Sequence, residues 1–385
     1  MKNISSNMNI LHKLFFKKYI MFTFFIVCIL SLSVSFFDAQ TMDIFSVETT
    51  SQFSYSTDIK NIFIHSLIAY PEILDKKPKT VINTYHSDCI DYVEFENMLT
   101  ELYKNNYILI DVNKTFVVDE NGNAKKCAVK VPVGKKPLVL GVDDVVYDPK
   151  KSGNGMVDKL CLDEKGEICS ETNIDGKIDR SYNREFVPIL ENFLQKHPDF
   201  SPFGDRCTIN LTGFCGILGY RITDKNIEFR QKEIEEVLPL VSKLKQLGYT
   251  FACHSYSHLH IKKTNVDEIE KDLQNWKEKI EPIIGKTNVF VYPYGEWELA
   301  NGNELSKKQK LLCQYGFKLF LGVGIYDFFE YMPLNKNIKA KVLFADRKNI
   351  DGFSLLKRTK ELSSIFDANI ILSDWAKKRQ QKIEV

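Results

Sequence analysis

Tyr249-Thr250-Phe251-Ala252-Cys253-His254-Ser255-Tyr256-Ser257-His258 is the stretch around which the chain is organised. An apolar run ends in two histidines four residues apart. One helical turn of backbone would aim both imidazoles the same way. Such a pair holds a divalent transition metal through neutral ring nitrogens. It is not the zincin pattern, which needs a glutamate base directly after the first histidine, where Ser255 stands. A hydrolytic metal site also needs a carboxylate ligand and a base. Asp143-Asp144, directly after the apolar run Leu138-Val139-Leu140-Gly141-Val142, is the best source of both. The plainer reading is two surface or hydrogen-bonded histidines. A strand-end Asp-Asp pair in the same chain favours the metal.

Strand and helix patterns alternate on both sides of this stretch. Strands are expected at 61–67, 81–86, 107–111, 138–142, 206–211, 249–253, 288–292, 317–323, 340–345 and 369–372. Helices are expected from Asp91, with Glu94 completing a capping box, and over 184–196, 230–246, 266–280, 304–315 and 353–366. Asn121-Gly122-Asn123 signals a hairpin. Residues 147–180 are polar and glycine-containing, and read as an inserted loop with a small hairpin beside the Asp-Asp turn. This alternation predicts a parallel α/β fold, a distorted (β/α) barrel, over 59–376. Chemistry in such barrels sits at the C-terminal ends of the strands. Asp143-Asp144, His254 and Tyr292-Pro293-Tyr294-Gly295-Glu296 each follow a different strand, so one mouth can gather them.

The chain has 385 residues, 44% apolar and 26% charged, enough for a large core. A net charge of +2 argues for no nucleic-acid partner. Neither a GxGxxG after a strand nor a P-loop is present, so no nucleotide is expected. Residues 1–18 are basic, with Lys2, Lys13, Lys17 and Lys18, and residues 19–37 carry no charge. The expectation is a cytoplasmic segment, then a transmembrane signal anchor, with the catalytic domain extracellular. A cleaved signal peptide is the competitor, but Phe37 is bulky where a small residue is wanted. Residues 38–58 read as a linker and 377–385 as a basic tail. Outside the apolar run there are eight cysteines, with Cys161/Cys169 and Cys207/Cys215 nearest along the chain. Free buried thiols are the default expectation.

The motifs Gly141-Val142-Asp143-Asp144, His254-Ser255-Tyr256-Ser257-His258 and Tyr292-Pro293-Tyr294-Gly295, in this order, resemble the polysaccharide deacetylases of the NodB-homology, carbohydrate esterase family 4 type. Val291 to Trp297, with Arg347 and Asn349-Ile350-Asp351-Gly352, resembles a membrane-anchored bacterial branch. The resemblance implies Asp144, His254 and His258 as metal ligands, Asp143 as general base and the Tyr294 backbone N–H as an oxyanion donor. Zinc is the default ion, with cobalt, nickel or manganese as alternatives. Two family features are missing. Val291 replaces an arginine that orients the base, and Arg347 is the candidate substitute. The family's Leu-x-His acid is replaced by Asp374 in Leu372-Ser373-Asp374, a proton donor only if burial raises its pKa; His86 is an alternative. Tyr147, Tyr256, Pro293 and Trp297 flank the motifs as candidate substrate contacts, and His65 is open to a packing or a mouth-facing reading.

The expected function is therefore removal of N-acetyl groups from an extracellular or cell-wall glycan by metal-activated water. The rivals are a catalytically weak glycan-binding protein on the same fold and an O-acetyl esterase.

Overall fold

A computed structural model describes residues 52–296, 305–324, 329–330 and 342–383. The chain divides into Met1–Thr50 and Ser51–Val385, and the described residues belong to the second unit. The expected membrane span and Trp297 lie outside the described residues. Among the described residues no helix is long and apolar enough to cross a membrane.

Parallel strands close into a barrel in chain order: β1 (Lys60–His65), β2 (Lys136–Asp143), β3 (Thr208–Leu211), β4 (Thr250–Cys253), β5 (Val289–Val291), β6 (Leu319–Val323) and β7 (Leu343–Asn349). Each pairs with its successor, and β7 returns to β1 through Lys348 opposite Ile62 and Asn349 opposite Phe63. This is the expected (β/α) barrel. Successive side chains on a strand point to opposite faces. Val139, Ala252, Val289, Val291, Leu319, Leu321, Leu343 and Ala345 fill one cluster, the barrel interior. Their strand neighbours Leu138, Leu140, Phe251, Phe290, Phe320 and Phe344 join the helices in the outer core. The strands are buried on both faces, which is why they read as apolar runs and not as alternating ones.

The helices that pack outside carry the expected punctuation. Asp91 caps α1 (Tyr92–Lys104), accepting from the N–H of Val93 and Glu94, while the Glu94 carboxylate accepts from the Asp91 N–H. Asn265 caps α2 (Val266–Lys279), and Asn226 caps the long helix Ile227–Leu247.

Six local expectations change. Residues 81–86 lie in the helix Lys79–Asp88, not a strand. Ile82 and His86, four apart, are its buried residues, so helical packing overrides the β-branched composition. Residues 369–372 form the helical turn Ala368–Ile371 where a strand was expected. The expected helix 353–366 is two short helices, Gly352–Lys357 and Thr359–Leu362, broken at Arg358. The inserted segment is a three-stranded antiparallel sheet, Lys159–Leu162, Ile168–Ile174 and Lys177–Ser181. The end of the expected linker, Phe53–Ser56, pairs with Val129–Pro132, and the basic tail continues a helix, Asp374–Ile383. The eight cysteines outside the apolar run are free thiols; Cys161 and Cys169 face each other across two strands with sulfurs 3.2 Å apart.

Candidate active site

Asp143 ends β2 on the interior face, in register with His65 on β1 and Asn210 on β3. Arg347, on β7, shares the interior face with Leu343 and Ala345 and is 1% exposed. Its guanidinium donates from Nη1 to Asp143 Oδ1 at 2.8 Å and from Nη2 to Oδ2 at 2.9 Å. Asn210 Nδ2 donates to the same Oδ1 at 2.6 Å. The cation lies 4.0 Å from the Phe63 ring centroid. Gly141 makes this crossing possible: a Cβ there would stand 2.9 Å from Asn210 Nδ2 and 3.4 Å from Arg347 Nη1. Burial alone would push the Asp143 carboxyl up, but Arg347, with His254, holds it well below the usual carboxylate range.

Next along the chain, Asp144 turns out of the strand with φ 57°. Its carboxylate meets the two histidines, with Oδ1 4.0 Å from His254 Nε2 and Oδ2 3.7 Å from His258 Nε2. One ligand atom from each of the three residues lies within 4.8 Å of the others. Ligand atoms about 2.0–2.2 Å from a shared ion sit roughly 3–4 Å apart, so this trio fits a divalent cation. The donor set, two imidazoles and a carboxylate, suits zinc and its neighbours in the first transition row. His254 Nδ1 lies 2.9 Å from the Val291 carbonyl oxygen, an acceptor. Nδ1 must therefore carry the proton, which leaves the Nε2 lone pair for a metal.

The two histidines converge without the helical turn expected for them. Ser255 and His258 adopt φ of 59° and 54°, left-handed values that cost energy in non-glycine residues. Asp272, on the buried face of α2, holds this turn. It accepts from Ser255 Oγ at 2.9 Å, the Tyr256 N–H at 2.7 Å and the Ser257 N–H at 2.7 Å. Ser255 Oγ in turn accepts from the Leu259 N–H at 2.9 Å.

Asp143, Asp144, His254, His258 and Arg347 line a cavity of about 370 Å³ that also takes in Phe63, His65, Asp88, Lys151, Tyr294 and Asn349. Tyr294 has φ 61° and a 60% exposed ring, with His258 edge-on at 4.7 Å and His260 stacked at 4.6 Å. Pro293 is buried beneath it at the start of the turn Pro293–Gly295.

Several expected site residues are elsewhere. Asp374 begins the helix Asp374–Ile383 and lines a separate groove with Asp91, Ser373 and Trp375. The segment before it is a helical turn, and Asp374 does not line the barrel-mouth cavity. His86 is buried with its ring edge-on to Trp375 at 5.2 Å, and does not line the cavity. Tyr147 and Tyr256 are 5% and 8% exposed and belong to the outer core, which leaves no face for a sugar. Sequence reading missed Asn210, Asp272, Asp88 and Lys151. Asp272 had a signal, since it shares a helical face with Ile269, Leu273 and Trp276. Asn210 had another, as a polar residue late in an apolar strand.

A polysaccharide deacetylase family model matches residues 223–310, the segment holding both histidines and the Tyr292–Gly295 turn. No curated protein matches the chain. Among solved structures, the chain is similar to the Streptococcus pyogenes deacetylase PplD in complex with acetate, with 13% identity and a TM-score of 0.41 over 76% of this chain and 92% of that one. It is also similar to a CE4 family pseudoenzyme from Bacillus anthracis, with 13% identity and a TM-score of 0.25 over 46% of this chain and 54% of that one. Superpositions this loose do not bear on activity. The family match shows that residues 223–310 are similar to the polysaccharide deacetylases.

Proposed function

We propose that the protein is a metal-dependent hydrolase that removes N-acetyl groups from a glycan. The observation that carries this reading is the convergence of Asp144, His254 and His258 beside an ionised Asp143 at the mouth of the barrel. Those three residues would hold the ion, with zinc the default. When bound, the ion supplies Lewis acidity, lowering the pKa of water and polarising the acetyl carbonyl.

The remaining work falls to the chain. Asp143 takes the proton of the attacking water. Arg347 and Asn210 fix the orientation of its carboxylate and keep it ionised, so it is a weak base that relies on an acidified water. Arg347 thereby fills the place of the arginine that Val291 lacks. The Tyr294 backbone N–H is the oxyanion donor. His65 replaces Asp374 as the candidate acid for the departing amine. It ends the strand beside Asp143, lines the cavity, and its buried Nδ1 has no hydrogen-bond partner among the described residues.

An acetylated glycan outside a membrane is the proposed substrate, with residues 19–37 as the anchor. Acetate release from N-acetylglucosamine oligomers, set against O-acetylated sugars, tests the reaction. Faster turnover of the N-acetyl substrates supports it. Turnover of esters alone would convert the reading to an O-acetyl esterase. Metal content of Asp144→Ala and His258→Ala, expected to fall sharply, tests the ligand set separately.

A further inference from the structure

The cavity rim carries two charges that the proposed reaction does not use, Asp88 and Lys151. Asp143 is neutralised by Arg347, and Asp144 is committed to the histidine pair. Lys151 makes no ion pair or hydrogen bond through its ammonium among the described residues. The backbone that presents Lys151 is braced. Lys151 closes the one-turn helix Pro149–Lys151, which Asp148 caps by accepting from the Lys150 N–H at 2.9 Å. Downstream, the Gly155 carbonyl accepts the N–H groups of Ala69 and Tyr70, both at 2.9 Å. Upstream, Arg221 donates to the carbonyls of Val146 at 3.3 Å and Cys215 at 2.7 Å, and also to that of Tyr147. Asn154 Nδ2 donates to Tyr85 Oη at 3.3 Å, tying the loop to the helix that ends at Asp88.

An ammonium presented to a substrate cavity from a braced loop distinguishes ligands by their charge. A neutral glycan offers it only uncharged hydroxyl and carbonyl acceptors, whose bonds about match those lost to water. An anionic group supplies a charge-assisted bond instead. We propose that Lys151 reads an anionic group, a carboxylate or a phosphodiester, on the sugar next to the acetylated one, so that the protein selects acidic N-acetylated glycans over neutral ones. This rests on the deacetylase reading of the same cavity.

The test uses the full-length zinc-loaded protein and three oligosaccharides: neutral N-acetylglucosamine oligomers, the same with a neighbouring uronic acid, and the same with a phosphodiester-linked neighbour. The kcat/KM for acetate release from an acidic oligomer should exceed the neutral value by about tenfold, and the ratio should shrink with added salt. Lys151→Met should bring the ratio near one, and Lys151→Arg should keep it. Calorimetric binding of the same oligomers to the metal-free protein should show the same order. Whichever acidic oligomer is preferred identifies the anion. Equal handling of neutral and acidic oligomers by the unmutated protein, or a preference that survives Lys151→Met, overturns the proposal. If no oligomer is turned over but the binding preference is present and lost in Lys151→Met, the deacetylase reading fails and the anion preference stands.

Discussion

Arg347 on β7 reaches across the interior face of β1 to hold both carboxylate oxygens of Asp143 on β2, at 2.8 and 2.9 Å. Breaking a buried pair from one side strands the other charge, at a cost of about 3–5 kcal/mol. Arg347→Met should therefore lower the melting temperature. It should also release the Asp143 carboxyl to the upward pull of burial, which Arg347 opposes in the native site. The carboxylate needs to be ionised to act as a base, so the acidic limb of the kcat/KM profile should move to higher pH. A profile unchanged in Arg347→Met would show that the pair is not part of the reaction.

His65 offers a sharper contrast between substrates. Loss of a general acid costs roughly 10²–10⁴ in rate when the leaving group is a poor one. His65→Gln should fall by that order on N-acetyl sugars and by much less on an aryl acetate, whose leaving group needs no proton. Equal losses on both would assign His65 a purely structural part.

Asp272 touches no reacting atom, yet three bonds from its carboxylate shape the turn between the metal-ligand histidines. Asp272→Ala should cost roughly 2–4 kcal/mol in unfolding free energy. It should weaken metal binding about 10- to 100-fold. Metal affinity by competition with a chelator separates the second effect from the first, since the unfolded fraction can be measured independently.

A separate pH dependence belongs to Glu185, which is fully buried at the start of the helix Phe186–Lys196. Burial pushes its carboxyl up to about 8, against bonds from the Phe186 and Leu67 N–H groups. A carboxyl raised on folding stabilises the fold fully below its unfolded pKa, and that contribution is lost as pH rises through the folded value. Stability should therefore decline from about pH 4.5 to about pH 8. Glu185→Gln should flatten part of that slope, and Glu94, also raised to about 8 by burial and by Asp91, should account for more of it. A melting temperature independent of pH over this range would contradict the assignment.

Much of the barrel was legible because its strands are buried on both faces and so appear as short apolar runs, as at 138–142 and 249–253. The strand at 81–86 misled because β-branched residues sit on a helix whose packing is decided by Ile82 and His86. Asp143, Asp144, His254 and His258 could be picked out because each lies at or shortly after the end of a strand, and chain order does not matter at a barrel mouth. Arg347 was found by the same rule. His65 was left open because a lone histidine after an apolar run has no local signature; only its register beside Asp143 distinguishes it. Asp374 was placed by analogy along the sequence, whereas the strand neighbouring β7 is β1, at the other end of the chain. Tyr147 and Tyr256 failed for the common reason that an aromatic beside a motif is as useful to the core as to a ligand.

The most direct measurement is acetate release by the purified protein, stripped of metal and then given zinc or cobalt, with Asp143→Asn in parallel. The substrates are N-acetylglucosamine oligomers and peptidoglycan. Release that requires the metal and falls at least about a hundredfold in Asp143→Asn is the expected result. Metal that binds at Asp144, His254 and His258 without acetate release from any N-acetyl substrate would contradict the account and leave a glycan-binding protein on a deacetylase fold.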